Sequence, residues 1–446
     1  MPRGAGVTDP ARRGALALLL RHEAGDGYAN LLADGERLSA MEPRDRALLT
    51  ALFYGVIERR LSLDYAIGTL AGRSAASLEP HTRAALRLGL YQLLYMSIPA
   101  HAAVDMTVRL GRGAGERALL NGVLRAAAKD PERVSPPPAG RDLVRHLSIL
   151  FSIPAPTVRY FLGRLGEEET RALLAAFNTR PPLFLRVNTL KTTRLDYLAL
   201  LTASGIAAEP DPLTAHGLRL PDAPPVATLP GYAEGLFFVQ DAASQLAGEL
   251  LAPCEGETVL DLCACPGGKS FGAALIAHDR ARILSRDIHA SKLSLITEGA
   301  RRLGLSSITV EERDASVPDP LLAGRVDRVI CDVPCSGLGV IAKKPDLRYR
   351  TLTSVGELTA LSARILASGA AALRPGGTMV FSTCTLTAEE NEDTVTAFLA
   401  AHPEFYLEDF TVGPLSSEGG MLTLWPHRGG TDGFFMAKLR RTSCTT

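Results

Sequence analysis

Apolar positions change period along this chain. Over residues 9 to 130 they recur at i, i+3 and i+4, as in the stripe Leu86, Leu90, Leu93 and Leu94. That period predicts helices over Ala11–His22, Pro43–Arg60, Leu61–Leu70, Pro80–Met96 and Val104–Leu110, assembled as an all-α bundle. It continues over Arg141–Leu150, Pro156–Gly163 and Glu167–Phe177. Beyond Arg180 the runs shorten. Phe184 to Lys191 reads as a strand entering a polar turn, and Pro210 to Pro230, rich in Pro and Gly, reads as irregular connections. A helix is expected to start within Phe238-Val-Gln-Asp-Ala-Ala-Ser-Gln245.

The most informative stretch is Thr258 to Lys269, TVLDLCACPGGK. An aliphatic run, Val259 to Leu262, breaks at Cys265-Pro266-Gly267-Gly268 and passes into an alanine-rich helical run, Lys269 to Ala277. Pro266 removes a backbone donor, and the glycines let a ligand approach the backbone. Strand, glycine turn and helix open a nucleotide-binding α/β unit. Further strands are predicted at Ala281–Arg286, Ile308–Arg313, Val326–Cys331 and Thr378–Ser382. The first three run into Asp287, Asp314 and Asp332, and the last into Thr383-Cys384. Strands alternating with helical segments imply a Rossmann-like parallel sheet. Ligands of such sheets sit beyond the carboxyl ends of the strands. The glycine turn, the three aspartates, Cys335 and Cys384 are therefore expected on one rim.

Composition and charge add bounds. At 446 residues and 46% hydrophobic content the chain has length for two or three globular domains. Net charge is zero, but residues 1–140 hold 18 basic and 14 acidic residues, a slightly basic front that fits a polyanion partner. Arg12, Arg13, Arg44, Arg46, Arg59 and Arg60 are candidates to meet phosphates there. Arg180, Arg186, Lys191 and Arg194 are candidates further on. No apolar run approaches a membrane span, and the amino terminus lacks the apolar stretch of a signal peptide. Seven cysteines, with no Cys-x-x-Cys pair, argue for free thiols and against a disulfide framework or a zinc site. A cytoplasmic, metal-free protein, monomeric and without membrane contact, is the expectation.

Two resemblances extend this reading. Arg13-Gly-Ala-Leu, Gly27-Tyr28-Ala-Asn30, Asp45-Arg46-Ala-Leu-Leu-Thr50, Tyr54-Gly55, Gly89-Leu90-Tyr91-Gln92-Leu93 and Asn121-Gly-Val-Leu124-Arg125, in that order, resemble the NusB-like RNA-binding domain. Arg186-Val-Asn-Thr-Leu-Lys191, Val239-Gln-Asp-Ala-Ala-Ser244, Asp261-Leu-Cys-Ala-Cys-Pro-Gly-Gly-Lys269, Asp332-Val-Pro-Cys-Ser-Gly-Leu-Gly339, Pro345-Asp346, Phe381-Ser-Thr-Cys-Thr385, Glu389-Glu-Asn391 and Asp432-Gly-Phe-Phe435 resemble the NOP/Sun RNA cytosine-5 methyltransferases. The expected organisation is a NusB-like bundle over 1–133, a proline-rich linker over 134–140, a small α/β RNA-binding subdomain over 141–235 and a Rossmann-like methyltransferase domain over 236–446. The domain order resembles the branch acting on small-subunit ribosomal RNA.

The family resemblance implies S-adenosylmethionine as methyl donor. Cys263, Ala264, Cys265, Pro266, Gly267, Gly268 and Lys269 would wrap it. Asp287, 19 residues after Gly268, would take the ribose hydroxyls, and Asp314 would lie near the adenine amine. Cytosine C5 is a weak nucleophile, and addition of a thiolate at C6 activates it. The resemblance gives Cys384 as that nucleophile and Cys335 as an aid to product release. The exchanged assignment stays open, because DNA cytosine-5 methyltransferases use a Pro-Cys cysteine. Asp332 would hold the base edge and touch the cofactor. Lys343, Lys344, Arg348 and Arg350 suit an RNA backbone, and Tyr349 a stacked base. The chain departs from the family pattern at Cys265 and Val333, where alanine is usual, and at Lys343-Lys344 and Tyr349. Other readings are a transfer-RNA methyltransferase and a non-catalytic RNA-binding scaffold; paired cysteines argue against the scaffold.

Overall fold

The computed structural model describes residues 9–27, 29, 41–350 and 352–443. The chain forms two compact units. One is Met1–Thr179 together with Ile341–Thr351; the other is Arg180–Val340 together with Leu352–Thr446. The fragments at Tyr28, Asn30 and Cys444 lie outside the described residues.

The first unit is helical: α1 (Pro10–Ala24), α2 (Pro43–Glu58), α3 (Arg60–Ala71), α4 (Pro80–Tyr95), α5 (Ala100–Val108), α6 (Ala114–Lys129), α7 (Leu143–Phe151) and α8 (Ala155–Ala176). Proline opens α1, α2 and α4, where its missing N–H would have had no partner in the helix. Asp9 caps α1 by accepting from the Arg12 amide. The predicted stripes supply the core, with Leu49, Phe53, Leu63, Leu86, Leu90 and Leu124 at 1% exposure or less. Gly166, at φ 77°, breaks α8 into the two helical runs expected there.

The helices over 143–176 group with this bundle rather than with the strands that follow. The reason is packing. Ser62 Oγ donates to Ile149 O at 2.5 Å and the Leu61 amide to Ser152 Oγ at 3.0 Å, which ties α3 to α7.

In the second unit, β1 (Leu183–Val187), α9 (Arg194–Ala203), β2 (Glu209–Pro210), β3 (Gly217–Leu220) and β4 (Phe237–Val239) build an antiparallel sheet of order β2-β3-β1-β4. The irregular reading of 210–230 missed β3, and the helical reading of 238–245 missed β4. Both strands are short, and pairing with β1 overrides their local preference.

After α10 (Ala242–Leu251) comes the main sheet. Its elements are β5 (Thr258–Asp261), α11 (Gly268–Ile276), β6 (Arg282–Asp287), α12 (Ala290–Leu303), β7 (Ile308–Glu312), β8 (Val326–Asp332), α13 (Val355–Ala372), β9 (Leu373–Thr383) and α14 (Glu392–Ala401). They are followed by β10 (Phe405–Leu407), the small pair β11 (Thr411–Val412) and β12 (Leu415–Ser416), then β13 (Met421–Leu424) and β14 (Phe434–Arg441). The order is β10-β14-β9-β8-β5-β6-β7, with β13 also on β14. Strands β5 to β9 run parallel, and β14 runs antiparallel to β9. Strand order reverses between β6 and β8 on either side of β5. The carboxyl end of β5 is thus the switch point where such sheets bind ligands.

Arg186 does not line a groove. It is 1% exposed, with Nε and Nη1 lacking hydrogen-bond partners among the described residues, and burial lowers its pKa to about 10 against the pull of nearby Glu249. Gly272 makes room for it: a Cβ there would lie 2.7 Å from Arg186 Nη1. Arg194 instead donates to Thr214 O, and Arg180 is exposed.

Asn188, just past β1, ties the small sheet's end to the loop before β4 and to the end of α12. Its Nδ2 donates to Gly235 O and Leu303 O, both at 2.9 Å, and its Oδ1 accepts from the Leu190 amide. Asn188→Ala should lower stability by about 1–3 kcal/mol, measured as a shift of the urea midpoint, because two buried carbonyls lose their donor.

Candidate active site

Strand β5 ends at Asp261, and the chain turns through Leu262 to Gly268. The Leu262 amide bonds to Ile330 O on β8 at 3.1 Å and the Ala264 amide to Arg286 O on β6 at 2.8 Å, so the turn is pinned to both neighbouring strands. Gly267 sits at φ 110°, a region that favours glycine, and a Cβ there would strike the Phe271 ring at 2.4 Å. At the end of β6, Asp287 accepts from the Cys265 amide (3.2 Å) and the His289 amide (3.0 Å), tying the turn to the next strand. Ile288, exposed by 55%, follows it and offers an apolar face on the rim. Asp314 is exposed. Hydrogen bonds from Ser316 Oγ and its amide to one carboxylate oxygen lower the Asp314 pKa. Asp287, Asp314 and the close-approach glycine turn, at or just beyond the carboxyl ends of β6, β7 and β5, supply the acceptors and backbone groups that a nucleoside bearing an amino-acid tail requires. These residues fit S-adenosylmethionine.

Lys269 and Asp332 form the polar centre. Lys269 Nζ lies 2.6 Å from Asp332 Oδ2 and 5.3 Å from the centroid of the Phe434 ring. Asp332 Oδ1 accepts from Ser382 Oγ at 2.7 Å.

Beside it stand the two thiols. Cys335 Sγ and Cys384 Sγ are 3.3 Å apart, on turns that leave the ends of β8 and β9. The hydrogen bond to Cys384 and burial together push the Cys335 thiol well above the ordinary range, and either sulfur can donate in that bond. Cys265, by contrast, is turned toward Lys292 O at 3.4 Å and is pushed up to about 12, chiefly by burial.

A buried acid sets the turn geometry. Glu390, 1% exposed, accepts from the Ser336 amide (2.7 Å), Ser336 Oγ (2.6 Å) and Thr387 Oγ1 (2.7 Å). Thr383 Oγ1 meets Asn391 Oδ1 at 2.5 Å, and Asn391 Nδ2 donates to Thr385 O at 3.1 Å. The residues beside each cysteine are therefore bonded to one short segment, 390–391.

Similarity to known proteins agrees with this geometry. A family model described as 16S rRNA methyltransferase RsmB/F matches residues 248–440. Others described as NusB family and as an RsmF/B-like ferredoxin-like domain match 9–129 and 158–227. The chain is 36% identical to the probable ribosomal RNA small subunit methyltransferase B of Synechocystis sp., over 97% of this chain and 99% of that protein. It belongs to the ribosomal RNA small subunit methyltransferase B family. The Klebsiella pneumoniae ribosomal RNA small subunit methyltransferase B is 35% identical over 94% of this chain and 97% of its own. Among solved structures, PH0851 matches with TM-score 0.81 and 25% identity, over 98% of this chain and all of that one. NSun6 from Pyrococcus horikoshii, solved with SFG, matches with TM-score 0.60 at 22% identity over 66% of this chain and shares its fold. As a member of this family the protein is an RNA methyltransferase with S-adenosylmethionine as its cofactor.

The structure brings together most of the residues expected from the methyltransferase family: 263–269, Asp287, Asp332, Cys335 and Cys384 on one rim, with Asp314 at the end of the adjoining β7. It takes Arg12, Arg186 and Arg348 out of the candidate RNA contacts, since all three are buried. Arg12 is buried and donates to Asp9 and Gln92. Arg59 lies 4.9 Å over the Tyr95 ring and Arg60 3.7 Å over the Tyr349 ring. Arg348 is buried, and the Tyr349 hydroxyl is fully engaged within the helical unit, so neither faces a substrate. Lys343 and Lys344 are exposed. Sequence reasoning missed the part played by Glu390, Ser336 and Asn391. The Glu389-Glu-Asn391 run entered only as a family fragment, and the hydroxyl residues crowding both cysteines were the available signal.

Asp261 lies at the start of the glycine turn with no exposed surface. Its Oδ2 accepts from Ser270 Oγ at 2.7 Å, while Oδ1 has no hydrogen-bond partner among the described residues. Burial raises its pKa from 3.8 to about 7, against the opposing pull of Ser270 and Lys269. Between these values the folded protein holds a proton that the unfolded chain has released, so its stability falls as pH rises through that window. Asp261→Asn should remove this fall and exceed wild type in urea midpoint near pH 8, with a smaller difference near about pH 5.

Proposed function

We propose that the protein methylates cytosine C5 in small-subunit ribosomal RNA through a covalent cysteine–C6 adduct. The observation that carries the reading is the pair of thiols 3.3 Å apart beside the Lys269–Asp332 pair. A methyltransferase acting on an exocyclic amine or a hydroxyl has no use for paired sulfur atoms, whereas C5 chemistry needs one sulfur to add and later to leave.

Cys384 is the nucleophile. Its thiolate adds to C6, and the ring electrons move toward C5 and N3. Asp332 accepts from the N4 amine at the base edge, and the Lys269 ammonium, 2.6 Å from that carboxylate, offsets charge developing on the ring. S-adenosylmethionine, when bound along 263–269, Asp287 and Asp314, supplies an electrophilic methyl group. A base then takes the C5 proton, the C5–C6 double bond returns and the C6–S bond breaks. Cys335 donates its S–H to the departing Cys384 sulfur, 3.3 Å away, which is how it aids release. The target base has to leave any helix to reach these thiols.

Labelled S-adenosylmethionine and unmodified small-subunit ribosomal RNA test the reading, with nucleoside analysis and denaturing gels. Wild type should place label in 5-methylcytidine. Cys384→Ala should lose roughly 10⁴-fold or more of this activity. Cys335→Ala should accumulate a protein–RNA adduct. An adduct with Cys384→Ala instead would exchange the two roles, and label in another nucleoside would sink C5 methylation.

A further inference from the structure

We propose that Cys335 and Cys384 are an oxidative modification site. A hydroperoxide joins them as a reversible disulfide, which holds methyl transfer off until a dithiol reopens it. The off state rests on the role given above to Cys384; the closure itself does not.

The backbone presets the pair. Asp332 and Ser382 are partners in the parallel register of β8 with β9, and neighbouring strands run about 4.8 Å apart. The Val333 amide donates to Ser382 O at 3.1 Å and the Gly339 amide to Cys384 O at 3.0 Å, so the two chains stay side by side past the cysteines. Strand spacing of that size lies within the roughly 4.4–6.8 Å that a disulfide spans between Cα atoms. The sulfurs already stand 3.3 Å apart, and a bond of about 2.0 Å asks for roughly 1 Å of movement. Glu390 holds Ser336 through its amide and its hydroxyl, so the turns do not separate while the side chains rotate. Both thiols keep some exposed surface, which gives a small oxidant access.

The other described thiols are placed elsewhere. Cys331 is fully buried in the core of the main sheet, and Cys263 packs against that core. Cys265 is turned toward Lys292 O. Cys254 precedes the amino end of β5, the opposite edge of the parallel sheet from the pair.

The chemistry closes on two waters. The Cys384 thiolate attacks one oxygen of hydrogen peroxide, the O–O bond breaks, and the sulfenic acid forms. The hydroxide released takes up the proton that Cys384 lost and is the first water. The Cys335 sulfur then attacks the Cys384 sulfur, the S–O bond breaks, and the Cys335 proton joins the departing hydroxide as the second water. The two sulfurs lose two electrons and the peroxide gains them. A sulfenic acid with no thiol beside it goes on to the sulfinic acid, which dithiols do not reverse. Cys335 is thus the resolving thiol that keeps the nucleophile recoverable. Once bonded to Cys335, the Cys384 sulfur has no electron pair to give C6. The cofactor turn, Asp287 and Asp314 take no part in the bond, so S-adenosylmethionine binding persists.

The test uses the full-length protein, hydrogen peroxide and peptide mapping, and its first readout needs no RNA. Wild type should form the Cys335–Cys384 disulfide at least about tenfold faster than any bond to Cys254, Cys263, Cys265 or Cys331. Methyl transfer should fall in step with closure to below about a tenth, while S-adenosylmethionine affinity stays within about twofold, and dithiothreitol should return the activity. Cys254→Ser should close like wild type. In Cys335→Ala the same treatment should carry Cys384 to the sulfinic acid, which dithiothreitol leaves unchanged; Cys335→Ser gives the same comparison should the alanine variant fail to fold. Disulfides at other positions, or Cys384 sulfinic acid in wild type as fast as in the Cys335 variants, would overturn the site. Full closure with methyl transfer intact would overturn the off state and the role of Cys384 together. Label in a nucleoside other than 5-methylcytidine, in the adduct experiment above, would strike the target atom alone and leave the closure standing.

Discussion

The parallel register of β8 with β9 is the constraint on which the site depends. Asp332 faces Ser382 across that pair, so the two strands release their turns at the same height. The Val333 amide then bonds Ser382 O at 3.1 Å, and the two thiols that follow fall into contact. A slip of one residue would turn alternate side chains to the opposite face and separate the acid from the hydroxyl that orients it. Continuing inward, the same rim carries Lys269 from α11 to Asp332, so three elements meet on one carboxylate. The Glu390 cluster is the complementary constraint. It cannot place the strands, but it prevents the turns beyond them from drifting apart.

Much of this was legible in the sequence because each chemical residue lies at or just past the end of a strand. Thr258–Lys269 gave away a strand, a turn and a helix. Asp287 and Asp332 close β6 and β8, and Cys384 comes one residue after β9, as alternation and hydropathy had indicated. What was not legible depends on partners distant in the chain. β3 and β4 are strands only because β1 lies between them. Glu390 reads as one of several acids before a helix until Ser336 and Thr387 are seen to surround it.

The arginines show the same limit more sharply. Arg12, Arg186 and Arg348 look in sequence like Arg13 or Arg180, yet each is buried, whereas the latter two are exposed. Charge along a chain records how many cations exist, and burial decides whether they meet carboxylates, helix ends or solvent. Arg87, held between Asp64 and Glu23, is another cation spent on the bundle's own cohesion. The mildly basic front of the chain is thus partly a structural inventory, and its exposed remainder is smaller than the count suggests.

The division of the helical unit between residues before Thr179 and a segment beginning at Ile341 has a consequence for biosynthesis. The ribosome delivers the bundle long before it delivers Arg348. Roughly 160 residues intervene, about 8–30 s of synthesis at ordinary rates. For that interval the carbonyls of Glu58, Phe151 and Phe177, which accept from Arg348 in the finished fold, are without that donor, and the second unit must be threaded out before it arrives. The amino-terminal unit is therefore the first to appear and among the last to be finished.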